Sequence, residues 1–428
     1  MLTDWTHWLS SLHPDQLLEV LAALLLTDGP RYALSKIILC LWDCGHNSWQ
    51  WLCGAAHGQA YSYCPSVCVV IPGYNQAETV ETTLRFLWGS YPRLEIIVVD
   101  DGSSDGMASM AGRFARAHAG VLVLRVAQRS GKSPALNLAL AYTRAEVIVS
   151  VDADSHLGPS AIWEVVQPLR DPQVGVVSAA VLARNGFTNL VTWLQAYEYL
   201  HTIFVGRLLS ARLGILGIAS GALAAFRRTA VDQTLGWDVA PGEDLDLTVR
   251  VRKSGYRVAY TPYAQCLTDV PTTWWRLIKQ RLRWERSGII RHHCRKHIDM
   301  AYFWTPGFRL SNFFVLLDNW FFNLFCMYAI WAWVIWICFN APASTGQMLL
   351  TLYLCYLFFE IIQILAAFLY SNDLGRDSLV CAIFPVVPFY QVLLLLVRLV
   401  ATTEELLLRK SFADTFAPAR TQEATWHW

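Results

Sequence analysis

The chain has 428 residues, of which 54% are hydrophobic and only 16% are charged, and its 34 Lys and Arg residues balance 33 Asp and Glu residues. Soluble domains carry about 25% charged residues, so this composition disfavours a disordered chain, a small secreted domain and a basic nucleic-acid-binding protein. The length permits about two or three domains. Eleven cysteines without a CxxC pair indicate reduced thiols in or facing a cytoplasm.

The N-terminal region, residues 1–63, is apolar on average from Leu17 to Trp42, but charges such as Lys36 and the Gly29-Pro30 pair interrupt it. These interruptions predict membrane-associated interfacial helices, each too short to span a bilayer. No basic segment or cleavage site accompanies an apolar run, which disfavours a signal peptide. A helical cap packed on a soluble domain is the alternative.

Residues 64–268 alternate short β-branched runs with stretches of helical length. The runs are Val67–Ile71, Glu95–Val99, Val121–Val126 and Val147–Val151, and the helical stretches are Glu78–Trp88, Met107–Ala117 and Pro134–Thr143. This alternation predicts an α/β fold with a mostly parallel sheet and helices on both faces. In such sheets, functional residues lie in the loops at the carboxyl ends of the strands.

The loops after the second and third runs carry charged residues. Asp100 and Asp101 follow the second run, where a carboxylate pair suits a base or a ribose, although Asp-Gly-Ser is also a common turn. Lys132 follows the third run at the start of a helix, where an anion such as phosphate is favoured. The loops therefore predict a nucleotide-binding edge of the sheet.

The loop after the fourth run contains two acidic residues, Asp152 and Asp154, at the end of a strand of buried character. Two converging carboxylates are costly to bury without a partner. A hard divalent cation that bridges phosphate oxygens would compensate both charges. The alternative is a solvated Asp-x-Asp turn.

Six short motifs occur in a fixed order. They are Pro72-x-Tyr74-Asn75, Asp100-Asp101-Gly102-Ser103, Gly131-Lys132, Asp152-x-Asp154, Gly242-Glu243-Asp244 and Gln280-x-x-Arg283-Trp284. Together they resemble the motifs of processive family 2 membrane glycosyltransferases, such as the synthases of poly-N-acetylglucosamine, hyaluronan, chitin oligosaccharides and cellulose. The resemblance covers about Val67 to Trp284 and implies a GT-A nucleotide-sugar-binding domain.

The resemblance also implies roles for individual residues. The residues that would bind the nucleotide and the donor sugar are Pro72, Tyr74, Asp101, Lys132 and Asp152. Asp101 would form a hydrogen bond to the uracil. Those implied in holding Mg²⁺ or Mn²⁺ are Asp154 and Asp152. The implied catalytic pair is Glu243 and Asp244, with Asp244 as the base. Those implied at the acceptor and diphosphate are Gln280, Arg283 and Trp284, and Ser220 and Gly221 resemble the lining of the acceptor site.

Elementary chemistry agrees with these roles. A carboxylate such as Asp244 can accept the proton of an acceptor hydroxyl, and Arg283 can help to neutralise a leaving diphosphate. Trp284 can stack on a sugar, or it can anchor an interfacial helix at headgroup depth. Many relatives have Thr where this chain has Gly242, which predicts a looser hold on Asp244. Asp246 is interpreted as an N-terminal helix charge.

Residues 269–310 predict interfacial amphipathic helices that carry the Gln280 motif. Basic residues crowd this segment: Arg276, Lys279, Arg281, Arg283, Arg286, Arg291, Arg295 and Lys296. Under the positive-inside rule this flank and the domain before it are cytoplasmic. Residues 311–408 predict about three spans, at Trp320–Phe339, Met348–Tyr370 and Leu379–Val400, and residues 409–428 form a tail.

These features favour an inverting, metal-dependent synthase of a β-linked exopolysaccharide in a bacterial inner membrane. UDP-N-acetylglucosamine is the preferred donor and UDP-glucose the next choice, with the growing polysaccharide as acceptor. Few predicted spans suggest that a channel would need a membrane partner subunit or a homo-oligomer. Two alternatives remain: a non-processive enzyme that glycosylates a lipid, and a non-catalytic scaffold on the same fold.

Overall fold

The structure, a computed structural model, describes residues 28–52, 61–238, 242–305, 308–340, 342–413 and 418. These residues belong to two compact units. The first unit combines residues 28–52 with Leu317–Val400, and the second combines the described residues from 61 to Leu316 with those from Ala401 onward. Parts of the predicted N-terminal region, 1–27 and 53–60, and most of the predicted tail lie outside the described residues.

Within the described residues, eight strands form one mixed sheet in the second unit. They are β1 (Val67–Gly73), β2 (Leu94–Asp100), β3 (Val121–Arg125), β4 (Val147–Val151), β5 (His156–Leu157), β6 (Val174–Ala183), β7 (Leu223–Arg227) and β8 (Arg257–Thr268). Their order across the sheet is β3-β2-β1-β4-β7-β6-β8-β5. The first four strands pair in parallel, as expected from their alternation with helices.

The fifteen α-helices of the described residues are also numbered along the chain. They are α1 (Asp28–Leu52), α2 (Ala77–Leu87), α3 (Met107–Ala117), α4 (Lys132–Leu140), α5 (Ala161–Val166), α6 (Leu190–Glu198), α7 (Gly206–Arg212), α8 (Arg228–Gln233), α9 (Glu243–Lys253), α10 (Trp274–Glu285), α11 (Leu310–Asp318), α12 (Met327–Asn340), α13 (Pro342–Tyr370), α14 (Leu374–Asp377) and α15 (Val387–Leu408). Shorter 3-10 segments lie at Gln167–Arg170, Ile298–Ala301, Ser378–Val386 and Lys410–Ala413, and π-helical segments at Tyr199–Val205, Arg286–Lys296 and Asn319–Cys326.

The core of the second unit follows the hydrophobic pattern of the chain. Every residue of β1 and β4 is buried, which is typical of central strands covered by helices on both faces. On α2, the buried Val80, Leu84 and Leu87 lie on one side of the helix. These helices and strands therefore leave the carboxyl ends of the parallel strands as the accessible edge.

Strand β7 brings a later part of the chain to that edge. It runs antiparallel to β4, and Leu223 pairs with Val151 at the carboxyl end of β4. The segment just before β7 therefore lies beside the residues that follow β4. This pairing places Ser220 and Gly221 next to Asp152.

Three helical segments of the described residues are long and apolar enough to cross a membrane: Leu310–Asn340, Thr345–Tyr370 and Leu374–Leu408. Their number agrees with the three spans predicted, and each segment contains most or all of the corresponding predicted span. The first begins about ten residues earlier than predicted because α11 and α12 are joined by a continuous π-helical segment.

In the first unit, α1 packs along α13 through polar contacts. Nζ of Lys36 donates a hydrogen bond to Oε1 of Gln363 at 2.8 Å, and the Tyr370 hydroxyl donates to Oδ2 of Asp43 at 3.1 Å. The helix continues through Lys36, although its charge was expected to interrupt the apolar segment. Lys36 can be buried because its ammonium group bonds Gln363. The described N-terminal residues thus form one 25-residue helix.

Candidate active site

Lys132 lies at the centre of a cluster of acidic residues drawn from separate loops. Its Nζ is 2.6 Å from Oδ1 of Asp152 and 3.4 Å from Oε1 of Glu243, and it donates a 3.4 Å hydrogen bond to the carbonyl oxygen of Gly221. Burial lowers the pKa of Lys132, but the charges of Asp152, Glu243 and Asp244 outweigh it and raise the pKa overall. The ammonium group therefore stays cationic and holds these loops together.

Glu243 and Asp244 begin α9. The preceding Gly242 has a φ of +86°, a left-handed conformation that glycine adopts without steric cost. Oδ2 of Asp244 accepts a 3.2 Å hydrogen bond from the backbone N–H of Gly221, and Oδ1 accepts one from the N–H of Leu245 at 2.8 Å. Gly242 was expected to loosen the hold on Asp244. The structure shows a firm hold instead, because glycine suits the left-handed turn and two backbone amides orient the carboxylate.

Burial raises the pKa of Glu243, and the charge of Asp244 raises it further, while Lys132 opposes both effects. A buried carboxyl group beside a second carboxylate holds a proton more readily than a free one. Asp244 is the one whose oxygen faces the Gly221 amide. Its position is suited to accepting a proton from a hydroxyl bound beside Gly221.

Asp101 fixes the loop that precedes Lys132. Its Oδ1 accepts hydrogen bonds from the N–H and hydroxyl of Ser130, both at 2.7 Å, and its Oδ2 accepts one from the N–H of Gly131 at 2.8 Å. Gly102 permits this approach, since a Cβ there would lie 2.9 Å from the backbone nitrogen of Arg129. The structure gives Asp101 an anchoring function, and its hydrogen bond to a uracil stays a prediction.

Tyr74 and Pro72 lie beside this loop. The guanidinium of Arg129 is 4.2 Å from the centroid of the Tyr74 ring, while Tyr74 itself is 39% exposed. Pro72 is buried at the end of β1. An exposed aromatic ring with a cation over it offers a planar surface next to the loop that carries Lys132, which suits the predicted wall of a base pocket.

Asp152 and Asp154 follow β4 directly and differ in their partners. Asp152 contacts Lys132, whereas Asp154 reaches solvent. The surrounding protein nevertheless removes part of its hydration, which raises the pKa of Asp154, and the charge of Asp152 raises it further. Two carboxylates that repel each other at a strand end fit a divalent cation that takes its remaining ligands from phosphate and water. No cluster of three or more ligating side chains occurs in the described part of the chain.

Ser220 and Gly221 lie beside the acidic residues, and their place in the lining of an acceptor site stays a prediction. The N–H of Ser220 donates to Oγ of Ser178 at 3.2 Å. A small cavity opens at this point, with Lys132, Asp244 and these two residues on its polar side. Its remaining wall is mainly apolar and consists of Leu136, Ser150, Ala224, Phe226, Trp237 and Glu243.

The motif residues Gln280, Arg283 and Trp284 lie on α10. Gln280 and Trp284 contact the intervening Arg281 rather than the Lys132 cluster, and Trp284 is 39% exposed. The helix begins at Thr273, whose side chain accepts a hydrogen bond from the N–H of Arg276. Asp152, Glu243, Asp244 and Gly221 therefore contact or surround Lys132, whereas Gln280 and Trp284 meet at Arg281.

Sequence reasoning missed the buried role of Asp246. It lies in the first turn of α9, as expected, but is fully buried. Oδ1 contacts Nζ of Lys296 at 2.7 Å and Nε2 of His297 at 2.9 Å, and Oδ2 contacts Nε of Arg250 at 2.7 Å. Asp246 thus ties the helix of Asp244 to the segment that follows α10, and only the i,i+4 spacing to Arg250 was visible in the sequence.

Arg207 on α7 is a second residue that the sequence did not single out. Its Nη1 donates a 3.4 Å hydrogen bond to Oγ of Ser178, the same oxygen that accepts from Ser220. Its charge is also attracted to Asp244. Arg207 belongs to none of the six sequence motifs, so its position beside the acidic cluster emerged only from the fold.

The comparisons with known proteins agree with this geometry. A family model described as glycosyltransferase like family 2 matches residues 65–287. The chain belongs to this family. This membership confirms the resemblance, and it accounts for the position of the motifs at the strand ends of the sheet.

Two curated relatives each match about half of the chain. A poly-beta-1,6-N-acetyl-D-glucosamine synthase of Staphylococcus aureus (strain COL) is 29% identical over 218 residues, which cover 50% of this chain and 52% of the relative. A hyaluronan synthase of Streptococcus pyogenes is 33% identical over 246 residues, which cover 54% of this chain and 58% of the relative. The match thus spans little more than half the length of these relatives.

A solved structure supports the fold. The mannosyltransferase from Pyrobaculum calidifontis in complex with GDP-Man and Mn²⁺ superposes with a TM-score of 0.56 and 23% identity, covering 78% of this chain and 97% of that one. The family 2 chain described here therefore has a GT-A fold, with a mixed sheet flanked by helices, together with membrane-length helices.

Proposed function

We propose that this chain is an inverting, processive glycosyltransferase that polymerises a β-linked exopolysaccharide from a UDP-sugar. The observation that carries the proposal is the Lys132 cluster, in which Gly221 joins the donor-side residues Lys132 and Asp152 to the candidate base Asp244. The named products of the curated relatives support a polysaccharide, and UDP-N-acetylglucosamine is the first donor to test.

The proposed chemistry uses these side chains together with Arg283 of the Gln280 motif. Asp244 accepts the proton of the acceptor hydroxyl, whose oxygen forms a bond to the anomeric carbon of the donor sugar. The bond from that carbon to the diphosphate oxygen breaks, and UDP leaves with the electron pair. Lys132 stabilises the negative charge that develops on the diphosphate, and Arg283 adds to this effect. Attack opposite the leaving group inverts the anomeric configuration.

A divalent cation fits the donor side of the site. Asp152 and Asp154 would hold Mg²⁺ or Mn²⁺, which would supply further neutralisation of the diphosphate charge. Burial raises the pKa of Asp154 and the neighbouring charge of Asp152 raises it further, so a bound cation would relieve the repulsion between the two carboxylates.

The membrane-length helices support an enzyme that works at a bilayer, and we place it in a bacterial inner membrane with several spans and a cytoplasmic catalytic domain. Basic and aromatic residues on α10 suit an interface with anionic lipid headgroups. The same proposal includes domain boundaries at residues 63, 268, 310 and 408. It also includes translocation of the product and a partner subunit or homo-oligomer.

The test is transfer by purified membranes that contain the full chain. They are incubated with Mg²⁺ or Mn²⁺ and each labelled UDP-sugar, and the products are separated by size and by organic extraction. High-molecular-weight label from one donor supports a processive synthase. Label confined to the organic phase would replace it with the glycolipid enzyme, and the absence of UDP release with every donor would overturn both in favour of a scaffold.

A further inference from the structure

Arg281 lies between the motif residues on α10 and contacts two of them. It is only 4% exposed, and its Nη1 donates a 2.7 Å hydrogen bond to Oε1 of Gln280. Its guanidinium also lies 4.3 Å from the centroid of the Trp284 ring. One planar cation thus fixes the amide of Gln280 and covers the indole of Trp284.

The charge of Arg281 is balanced by Glu198, the last residue of α6. Nη2 of Arg281 donates to Oε2 of Glu198 at 2.7 Å, and both side chains are largely buried. A buried guanidinium is costly unless it is paired, and breaking such a pair leaves an uncompensated charge. The ion pair therefore determines where the Arg281 side chain can lie.

Helix α6 holds the start of α10 as well as its middle. The side-chain amide of Gln195 donates to the carbonyl oxygen of Pro271 at 2.7 Å, and that of Asn189 donates to the carbonyl oxygen of Thr272 at 3.0 Å. Together with Glu198, these contacts run along α6 and fix the direction of α10. Of the residues that join α6 to α10, Arg281 is the one that contacts the motif side chains Gln280 and Trp284.

We propose that Arg281, held by Glu198, is a positioning residue that orients Gln280 and Trp284 toward the acceptor sugar. Because the guanidinium lies over the indole ring, it limits the rotamers of Trp284 and leaves the 39% exposed part of that side chain for stacking on a sugar. Preorganised aromatic and amide groups bind with less loss of entropy. This inference rests on the proposed function, since it assigns the acceptor side of that site.

The experiment compares Arg281→Lys and Glu198→Gln with Arg276→Lys in the full chain. Lysine keeps the charge and can pair with Glu198, but it lacks the planar fork needed to bond Gln280 and cover Trp284 together. Arg276 lies on the same helix and is exposed, so it provides a matched control. The measurements are kcat and KM for an N-acetylglucosamine oligosaccharide acceptor, KM for the donor, and UDP release from the donor without acceptor.

We expect Arg281→Lys to raise the acceptor KM about tenfold while donor KM and acceptor-free UDP release stay within about twofold. Glu198→Gln should shift the acceptor KM in the same direction, and the double variant should be no worse than the more impaired single variant, because both act through one contact. Arg276→Lys should leave every value unchanged.

An unchanged acceptor KM in Arg281→Lys would overturn the positioning role. A parallel fall of acceptor-free UDP release and transfer in both variants would also overturn it, because the ion pair would then support only the fold. If the unaltered protein releases UDP from no donor, the proposed function itself fails. If the unaltered protein is active and the Arg281→Lys variant behaves like it, only the positioning role fails.

Discussion

The backbone N–H of Gly221 donates a hydrogen bond to Oδ2 of Asp244 across 3.2 Å, while the carbonyl oxygen of the same glycine accepts one from Nζ of Lys132 at 3.4 Å. A single peptide segment thus connects the candidate base with the cation on the donor side. Both groups are held in place before substrate arrives, which lowers the reorganisation needed for reaction.

Substitution Asp244→Asn tests the base. An amide cannot accept the proton of the acceptor hydroxyl, so kcat should fall by about 10²–10⁴-fold while the Kd for UDP stays unchanged. Transfer is measured with labelled donor, and UDP binding by calorimetry. Asp232→Asn is the matched control, because Asp232 is exposed and forms an ion pair with Arg228 one turn away on α8. Full activity of Asp244→Asn would exclude this residue as the base.

Substitution Gly221→Ala tests the close packing of the cluster. A Cβ at this position would lie 2.8 Å from Nζ of Lys132 and 3.5 Å from Oδ2 of Asp244. The flexible end of Lys132 can move aside, so the protein should fold while the contact with Asp152 is lost and kcat falls about tenfold or more.

Gly112→Ala is the control for the glycine substitution, since its Cβ would meet only Arg116 at 3.8 Å and the residue lies within α3. Alanine favours a helix interior, so this variant should retain both activity and thermal stability. Equal activity of the two variants would argue against a tight site around Gly221.

Metal dependence is expected from the acidic pair after β4. Chelation by EDTA should abolish transfer, and added Mn²⁺ should restore it. Asp154→Asn removes one carboxylate, so the concentration of Mn²⁺ that gives half-maximal activity should rise about tenfold or more. Titration of Mn²⁺ against activity measures the shift, with Asp232→Asn again as control. An identical titration curve for Asp154→Asn would remove this residue from the cation site.

The stability of the second unit should depend on pH through His293. Burial, and then the neighbouring His297, lower the pKa of His293 to about 3. Its pKa in an unfolded chain is about 6.5, so the unfolded state binds the proton more readily as pH falls below that value. As the pH is lowered from 6.5 to 3, the contribution of His293 alone should therefore reduce the free energy of unfolding by about 1.4 kcal/mol for each pH unit.

Thermal unfolding at pH 7.5 and pH 5 compares wild type with His293→Leu, which cannot titrate at this position. The apparent Tm of the wild type should fall more than that of the variant over this interval. Burial also lowers the pKa of His297, so a smaller fall should persist in the variant. Equal falls in both proteins would show that His293 does not control acid stability.

The first four strands could be predicted because each is a short, apolar run that contains β-branched residues, and these runs alternate with stretches of helical length. The later strands were not predicted individually. Both β6 and β7 contain alanines in place of β-branched residues, so neither has a strong local pattern. The antiparallel insertion of β7 beside β4 depends on pairing between residues more than 70 positions apart.

The same division applies to the candidate site. Lys132, Asp152, Asp154, Glu243 and Asp244 stand at motif positions, and the three-dimensional structure brings three of the carboxylates, Asp152, Glu243 and Asp244, within reach of the Lys132 ammonium group. The pairing of Arg281 with Glu198 had no such signal, because 83 residues separate the two side chains. A buried charge reveals its partner only when the chain is folded.

By itself, the sequence determined the α/β class, the three membrane-length segments and the family, because hydrophobic periodicity and short motifs are local properties. Only the tertiary structure decided that Gly221 orients Asp244, that Asp101 anchors the Lys132 loop and that Arg281 contacts both Gln280 and Trp284. These contacts depend on where distant segments meet, and sheet pairing and burial of charge select that arrangement through interactions that no single segment contains.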